Sequence, residues 1–139
     1  MRTRKAVLVV LLATTPFASG CGGGVLSGPS AVTGGVWKVQ SIETLAGGLV
    51  GISRPENYTV EFKDGGGLAV KADCNVCSGA YSVSGEALQI GPLACTRAFC
   101  GSASSDTVFL DVLSNARSLG VRGIELSIDS TRGTLRLVR

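Results

Sequence analysis

The chain has 139 residues, of which 45% are hydrophobic and 17% charged, with 20 Gly, 5 Cys and no His. This length supports one domain with a single core, and a mean hydropathy of +0.36 excludes a mostly disordered chain. The absence of His excludes Ser–His catalytic triads, general bases built on His and metal sites with His ligands.

The N-terminal segment has the organisation of a secretory signal peptide. Basic residues in Met1–Lys5 precede the apolar run Ala6–Ala13, and the small residues Ala18–Gly20 stand directly before Cys21. The apolar run is too short to span a bilayer as a permanent helix. We therefore predict that residues 1–20 form a signal peptide.

The cleavage site predicts lipidation of Cys21. Ala18–Cys21 resembles a bacterial lipobox, with Ala18 where Leu is usual, and the Gly-, Ser- and Pro-rich residues 21–34 are typical of a flexible tether. The alternative is an ordinary secreted protein with one odd thiol. If Cys21 is lipidated, we expect acyl chains that include palmitate to hold the protein at the cell envelope. By resemblance to bacterial lipoproteins, Gly22 after the cysteine implies the outer membrane in a Gram-negative cell, and otherwise we expect the extracytoplasmic face of the cell membrane.

The net charge of +3 belongs to the leader. Removing Arg2, Arg4 and Lys5 leaves equal numbers of basic and acidic residues. The remaining chain has no cluster of basic residues interleaved with aromatic ones, so we expect no nucleic-acid partner.

The rest of the chain alternates in period two, as half-buried strands do. The predicted strands are Val36–Ser41, Tyr58–Phe62, Leu68–Ala72, Gly79–Val83, Ala87–Ile90, Ile124–Ile128 and Thr134–Val138. Turn signals at 63–67, 84–86 and 129–133 join them into hairpins, and 43–57 is predicted as a loop. One segment has helical spacing: Ser104 or Ser105 is expected to cap a helix over about 104–119, which Gly120 ends. We therefore predict an α+β domain: a curved, mostly antiparallel and partly barrel-like sheet packed on one amphipathic helix.

Four further cysteines, Cys74, Cys77, Cys95 and Cys100, have the spacing C-x2-C-x17-C-x4-C. This spacing is compatible with two structural disulfides, a zinc ribbon or a thiol oxidoreductase using the Cys74/Cys77 pair. Export to an oxidising compartment favours disulfides. A redox CxxC normally begins a helix, whereas Asp73–Gly79 is typical of a turn. We therefore predict disulfides, no metal and no cofactor, with three pairings left open.

Two segments carry a family resemblance. Residues 74–81 read Cys-Asn-x-x-x-Gly-x-Tyr, and residues 93–100 read Leu-Ala-x-Thr-x-x-x-Cys. Together with the Phe-x-Asp-Gly hairpin at 62–65, they resemble the META domain (HslJ-like) family over about residues 35–139. The resemblance implies that Cys74 pairs with Cys100, which leaves Cys77 for Cys95. It also implies an envelope protein linked to stress response, with no reaction assigned to the domain.

Candidate contact residues cluster near these cysteines. Arg97 lies between two of them and is suited to an anionic ligand, while Asp73 and Asn75 offer polar groups at the same place. Each also has a structural interpretation, a solvated Arg and a turn-forming Asn. The expected function is that of a monomeric, non-enzymatic envelope protein that binds an envelope partner. The alternatives are a thiol-disulfide protein or a module that binds a small ligand at the mouth of the sheet.

Overall fold

A computed structural model describes residues 28–139. The predicted signal peptide at 1–20, the predicted lipidation site Cys21 and the first part of the predicted tether lie outside the described residues.

Ten strands and two α-helices follow one another in the described chain. The strands are β1 Val36–Thr44, β2 Leu49–Gly51, β3 Tyr58–Phe62, β4 Gly67–Ala72, β5 Asn75–Ser84, β6 Ala87–Ile90, β7 Ala94–Cys95, β8 Ala116–Arg122, β9 Glu125–Ser130 and β10 Gly133–Val138. The helices are α1 Pro29–Val32 and α2 Asp106–Ser114, with a short 3-10 turn at Pro55–Asn57. The predicted fold class is confirmed: the strands form one antiparallel sheet with one substantial helix, α2.

The sheet closes into a barrel. Its strand order is β10-β9-β8-β6-β5-β4-β3-β1-β2, and β10 also pairs with β1, so eight strands complete the ring. The β1–β10 ladder runs from Lys38↔Val138 to Thr44↔Gly133, whereas β6 and β8 share the single pair Ala87↔Ser118. Two short strands lie off the ring, with β2 pairing on β1 and β7 on β5.

Alternate side chains of the strands fill the interior of the barrel. The largest fully buried side chains are Trp37, Ile42, Phe62, Leu88, Phe109, Leu113, Leu126, Ile128, Leu135 and Leu137. Each contributes about 1.5–3 kcal/mol by leaving water. Apolar packing inside the barrel is therefore the main source of its stability.

Each end of the barrel is covered by a helix. At one end α1 precedes β1, its Val32 is fully buried, and Thr33 bridges to Phe62 at the end of β3. At the other end α2 packs against β4, β9 and β10. The Tyr58 hydroxyl, at the start of β3, accepts the Ser105 N–H at 2.9 Å. We call the first end the tether end and the second the α2 end.

The helix is shorter than the sequence indicates. The apolar spacing predicts a helix over about 104–119 ending at Gly120, but the helix ends at Ser114 and Gly120 lies inside β8. The side-chain amide of Asn115 donates to the Asp111 carbonyl at 2.8 Å, which satisfies the last turn. Pairing with β9 then places Leu119 and Val121 in the interior, so tertiary pairing overrides the helical pattern.

The folded part also begins earlier than predicted. Residues up to 34 have tether composition, yet Ala31 and Val32 are buried in the core. The predicted loop at 43–57 contains β2 and the 3-10 turn. Both segments are short and rich in Gly, Ser or Pro, so their order comes from packing on the barrel and not from local pattern.

Candidate binding site at the cysteine loop

Two disulfides fix the segment Cys95–Cys100, which we call the cysteine loop. One bridge joins Cys74 to Cys100 with Cα atoms 5.5 Å apart, and the other joins Cys77 to Cys95 at 4.0 Å. This is the pairing that the family resemblance implies. The two cysteines of the CxxC motif are bonded to the loop and not to each other, so they do not form a redox pair in this structure.

Asn75 organises the same loop from beneath. It is the buried polar residue of the core, 4% exposed. Its Oδ1 accepts the Ala98 N–H at 2.7 Å and the Thr96 hydroxyl at 3.0 Å, and its Nδ2 donates to the Ala98 carbonyl at 3.0 Å. Nδ2 also lies 3.3 Å from Asp106 Oδ2. The sequence suggested that the Asn75 side chain hydrogen-bonds to its own turn, but in the structure it hydrogen-bonds to the cysteine loop. Both ends of its side-chain amide already have partners within the protein.

Strand pairing adds a third attachment. The Thr96 N–H donates to the Val76 carbonyl and the Val76 N–H donates to the Thr96 hydroxyl, both at 3.0 Å. A side chain at Gly79 would lie 2.7 Å from Leu93, so glycine permits the close approach of this segment to β5. The loop backbone is thus held by covalent, polar and packing contacts at once.

The outer surface of the cysteine loop carries an exposed aromatic and a cation. Phe99 is 87% exposed, and Arg97 is also exposed. In the part of the chain that the structure describes, the one ion pair joins Arg132 to Asp111, so Arg97 has no carboxylate partner there. A surface depression of about 490 Å³ separates this loop from α2, and Arg97, Phe99 and Leu110 line it.

The edge of β7 is open beside this depression. β7 pairs with β5 on one side and with no strand on the other among residues 28–139. Thr96 hydrogen-bonds to Val76 of β5, and hydrogen-bonded pairs alternate along an antiparallel ladder. The backbone N–H and C=O of the preceding residue, Cys95, therefore point away from β5. An unpaired edge of this kind can accept an extended chain.

The structure brings two of the three predicted contact residues together, because Arg97 and Asn75 line the same depression, and it places Asp73 elsewhere. Arg97 lies on the accessible surface and Asn75 beneath it. Asp73 lines a different depression of about 360 Å³, together with Arg54 and Tyr58. Asp73 has a left-handed backbone with φ 57°, and its N–H donates to the Asn57 carbonyl at 2.7 Å. It acts as a turn residue there.

Sequence reasoning missed Phe99. The sequence did contain a signal: Phe99 lies between two cysteines, in a segment with neither strand nor helix periodicity. Such a segment has no buried face on which an aromatic side chain could pack, which indicates that Phe99 is exposed.

Within residues 28–139, no cluster of three or more His, Cys, Asp or Glu side chains could hold a metal ion. No helix in that range is both long and apolar enough to cross a membrane.

Comparisons with known proteins agree with this fold. An NMR structure of a protein from Burkholderia xenovorans matches with a TM-score of 0.67 and 18% identity over 91% of this chain and 98% of that chain. A second NMR structure matches with a TM-score of 0.65 and 18% identity over 81% and 95%. Curated proteins gave no match. The model of the META domain family matches residues 30–139, so the chain belongs to the META domain family.

Proposed function

We propose that this protein is a monomeric, non-enzymatic, lipid-anchored component of the bacterial cell envelope, which binds an envelope protein through the cysteine loop and supports tolerance of envelope stress. The observation that carries the proposal is Phe99, 87% exposed on a backbone fixed by two disulfides. A rigidly presented aromatic side chain loses little conformational entropy on binding and is a common anchor of protein interfaces.

The two disulfides support the proposed location of the protein outside the cytosol. Two disulfides persist in an oxidising space and are rare in the cytosol. The predicted signal peptide at 1–20 would provide the route to that space, and Cys21 at the end of the lipobox-like residues 18–21 would provide the anchor. Palmitate at Cys21 together with further acyl chains gives stable attachment.

Two observations disfavour the alternatives. A thiol-disulfide protein would use Cys74 and Cys77 as a pair, yet each is bonded to the cysteine loop. A small ligand at the mouth of the sheet would need space that large side chains and the two end helices occupy, with Trp37 and Phe109 both fully buried.

The binding surface is tested by photo-crosslinking in living cells. A photoreactive phenylalanine replaces Phe99 in one strain and Leu45 in the other, because Leu45 is also strongly exposed, at 74%, but lies in the β1–β2 turn. We expect a light-dependent adduct of one discrete mass from position 99 only. Phe99→Ser is expected to lower growth under envelope stress while Leu45→Ser does not. Equal adducts from both positions, or none, would contradict the proposal.

The anchor is tested separately by metabolic labelling. Cells receive an alkyne analogue of palmitate, and the protein is isolated and probed for label. We expect label on the natural chain and none on Cys21→Ala, with equal protein amounts verified by immunoblot. Label that survives the substitution would place the acyl group elsewhere, and an unlabelled natural chain would refute the anchor.

A further inference from the structure

The tether end of the barrel carries an outward-facing group of cations. Lys38 pairs with Val138, Val138 with Glu125, and Glu125 with Arg122, so these four residues form a row across β1, β10, β9 and β8. Lys38, Glu125 and Arg122 are exposed. Arg136 is exposed in the next row along β10, where it pairs with Ser127.

Charge is segregated along these four strands. The row nearer the α2 end joins Glu43, Thr134 and Asp129, of which the two carboxylates are exposed. On these four strands, the outward charged residues of the tether end are three cations and the carboxylate of Glu125. Elsewhere around this end, Glu61 pairs with Val36, Asp64 lines a depression with residues of α1, and the Arg139 guanidinium lies over Trp37. These four strands therefore present a surface at the tether end on which exposed cations outnumber carboxylates.

Two of the cations share a groove. Arg122 and Arg136 line an open depression of about 540 Å³, with Gln40, Ser127 and Glu125 also on its walls. Gly120 pairs with Ser127 at its floor, and these small residues leave room between the two arginines. Two guanidinium groups facing one groove suit the oxygens of a phosphate group.

The tether end also exposes apolar side chains. Ile124, in the β8–β9 turn, is 63% exposed, and Val36, the first residue of β1, is 43% exposed. The Ile124 carbonyl accepts the Arg139 N–H at 3.2 Å, which ties the turn to the end of β10. Exposed aliphatic side chains beside cations are typical of surfaces that lie in the headgroup layer of a bilayer.

The chain enters the domain at this end. Seven residue steps separate Cys21 from Gly28, and a fully extended chain spans at most about 3.5 Å per residue, so they reach about 25 Å. An acyl chain on Cys21 would keep α1 and its surroundings within that distance of the bilayer. The positive, partly apolar end is therefore the end that the anchor brings to the membrane.

We propose that this tether end docks on the anionic bilayer that holds the anchor, with Arg122 and Arg136 on lipid phosphates and Ile124 among the headgroups. The inference rests on the proposed lipid anchor for its biological setting and on the described residues for its chemistry. Docking would turn the α2 end, with the cysteine loop, away from the membrane and toward a partner.

The test uses the mature chain without its lipid. Cys21→Ser is exported behind a non-lipoprotein signal sequence, purified with both disulfides, and sedimented with vesicles of phosphatidylglycerol and phosphatidylcholine in equal amounts or of phosphatidylcholine alone. We expect binding to the anionic vesicles only, weakened by high salt. Arg122→Gln with Arg136→Gln should lower the partition coefficient at least about tenfold, since each basic residue near an anionic surface contributes an effect of about fivefold.

The matched control removes the same charge at the α2 end. Arg54 and Arg117 are both exposed, and the double change Arg54→Gln with Arg117→Gln should leave partition within about twofold of the parent. Ile124→Ser should weaken binding to anionic vesicles without changing its salt dependence. Equal losses in both double variants, or no loss at Arg122 and Arg136, would overturn the proposal. Palmitate labelling at Cys21 tests the anchor independently, so failure of one proposal is distinguishable from failure of the other.

Discussion

At the scale of single residues, Asn75 determines the shape of the candidate site. Its side chain supplies partners to the Ala98 N–H, the Ala98 carbonyl and the Thr96 hydroxyl at 2.7–3.0 Å. Within residues 28–139 no buried side-chain nitrogen or oxygen lacks a hydrogen-bond partner. The cysteine loop is therefore held to β5 by this one side-chain amide and by the Thr96–Val76 hydrogen bonds, while the two disulfides hold its ends.

Replacing Asn75 by Ala should destabilise the fold strongly. Thr96 and Ala98 would lose three part-buried hydrogen bonds, each of which contributes about 0.5–1.5 kcal/mol. We expect the free energy of unfolding in urea, with disulfides intact, to fall by about 3 kcal/mol. Gln89→Ala removes an exposed amide from β6 and should change it by less than about 0.5 kcal/mol. Equal effects of the two substitutions would show that the Asn75 network adds nothing.

Ionisation of Tyr81 is expected to lower the stability of the fold at alkaline pH. Burial, and next the negative charge of Asp64, raise the pKa of its phenol above the ordinary value of 10.0. Its hydroxyl donates to the Lys63 carbonyl at 3.0 Å, so the folded state holds the neutral form. Above the pKa of the unfolded chain, the folded state binds more protons than the unfolded state, and stability falls as pH rises. Urea unfolding at successive pH values around 10 should show this decline, and Tyr81→Phe should make it shallower. An unchanged slope in the variant would exclude Tyr81 as the cause.

At the scale of elements, local pattern predicted the hairpins and tertiary pairing decided the rest. The β3–β4 hairpin follows from alternation around Lys63–Gly67. Ala116 fits both the helical spacing before it and the strand spacing after it, so only pairing with β9 shows that the helix has ended. Phe99 and Arg97 illustrate the same limit, because exposure in a loop is set by disulfide pairing and packing that spacing does not specify.

Closure of the barrel depends on a close approach at Gly133. A side chain there would collide with the Glu43 carbonyl oxygen across the β1–β10 ladder, and its φ of 150° is rare for other residues. We expect Gly133→Ala to lower the free energy of unfolding by about 3 kcal/mol or more. Gly123→Ala is the control: its φ is 60° but nothing lies within 4 Å of the added carbon, so it should cost about 1 kcal/mol. Thermal unfolding followed by circular dichroism measures both. If Gly133→Ala lowered the free energy of unfolding by less than Gly123→Ala does, the β1–β10 pairing would contribute little to the stability of the barrel.

At the scale of the whole molecule, the barrel has two ends with different chemistry. The α2 end carries the disulfides, the cysteine loop and its exposed aromatic. The tether end carries α1, the cations of β1, β8 and β10, and the entry of the chain. An anchor at Cys21 would join these features into one arrangement, with the membrane at one end and a partner at the other.

The covering of the tether end should therefore be measurable from the single Trp of the chain. Trp37 is fully buried, its indole N–H donates to the Val32 carbonyl at 2.7 Å, and the Arg139 guanidinium lies 4.7 Å from the ring centroid. The residues of α1 and Arg139 therefore shield the ring from water together. Val32→Ala removes two buried methyl groups and should lower the free energy of unfolding by about 2 kcal/mol. It should also shift the Trp37 emission to longer wavelength in the folded state, because a loosened α1 admits water to the indole. Ser30→Ala, on the exposed side of the same helix, should change neither quantity. If Val32→Ala lowered stability with no change in emission, α1 would contribute buried area without closing this end of the barrel.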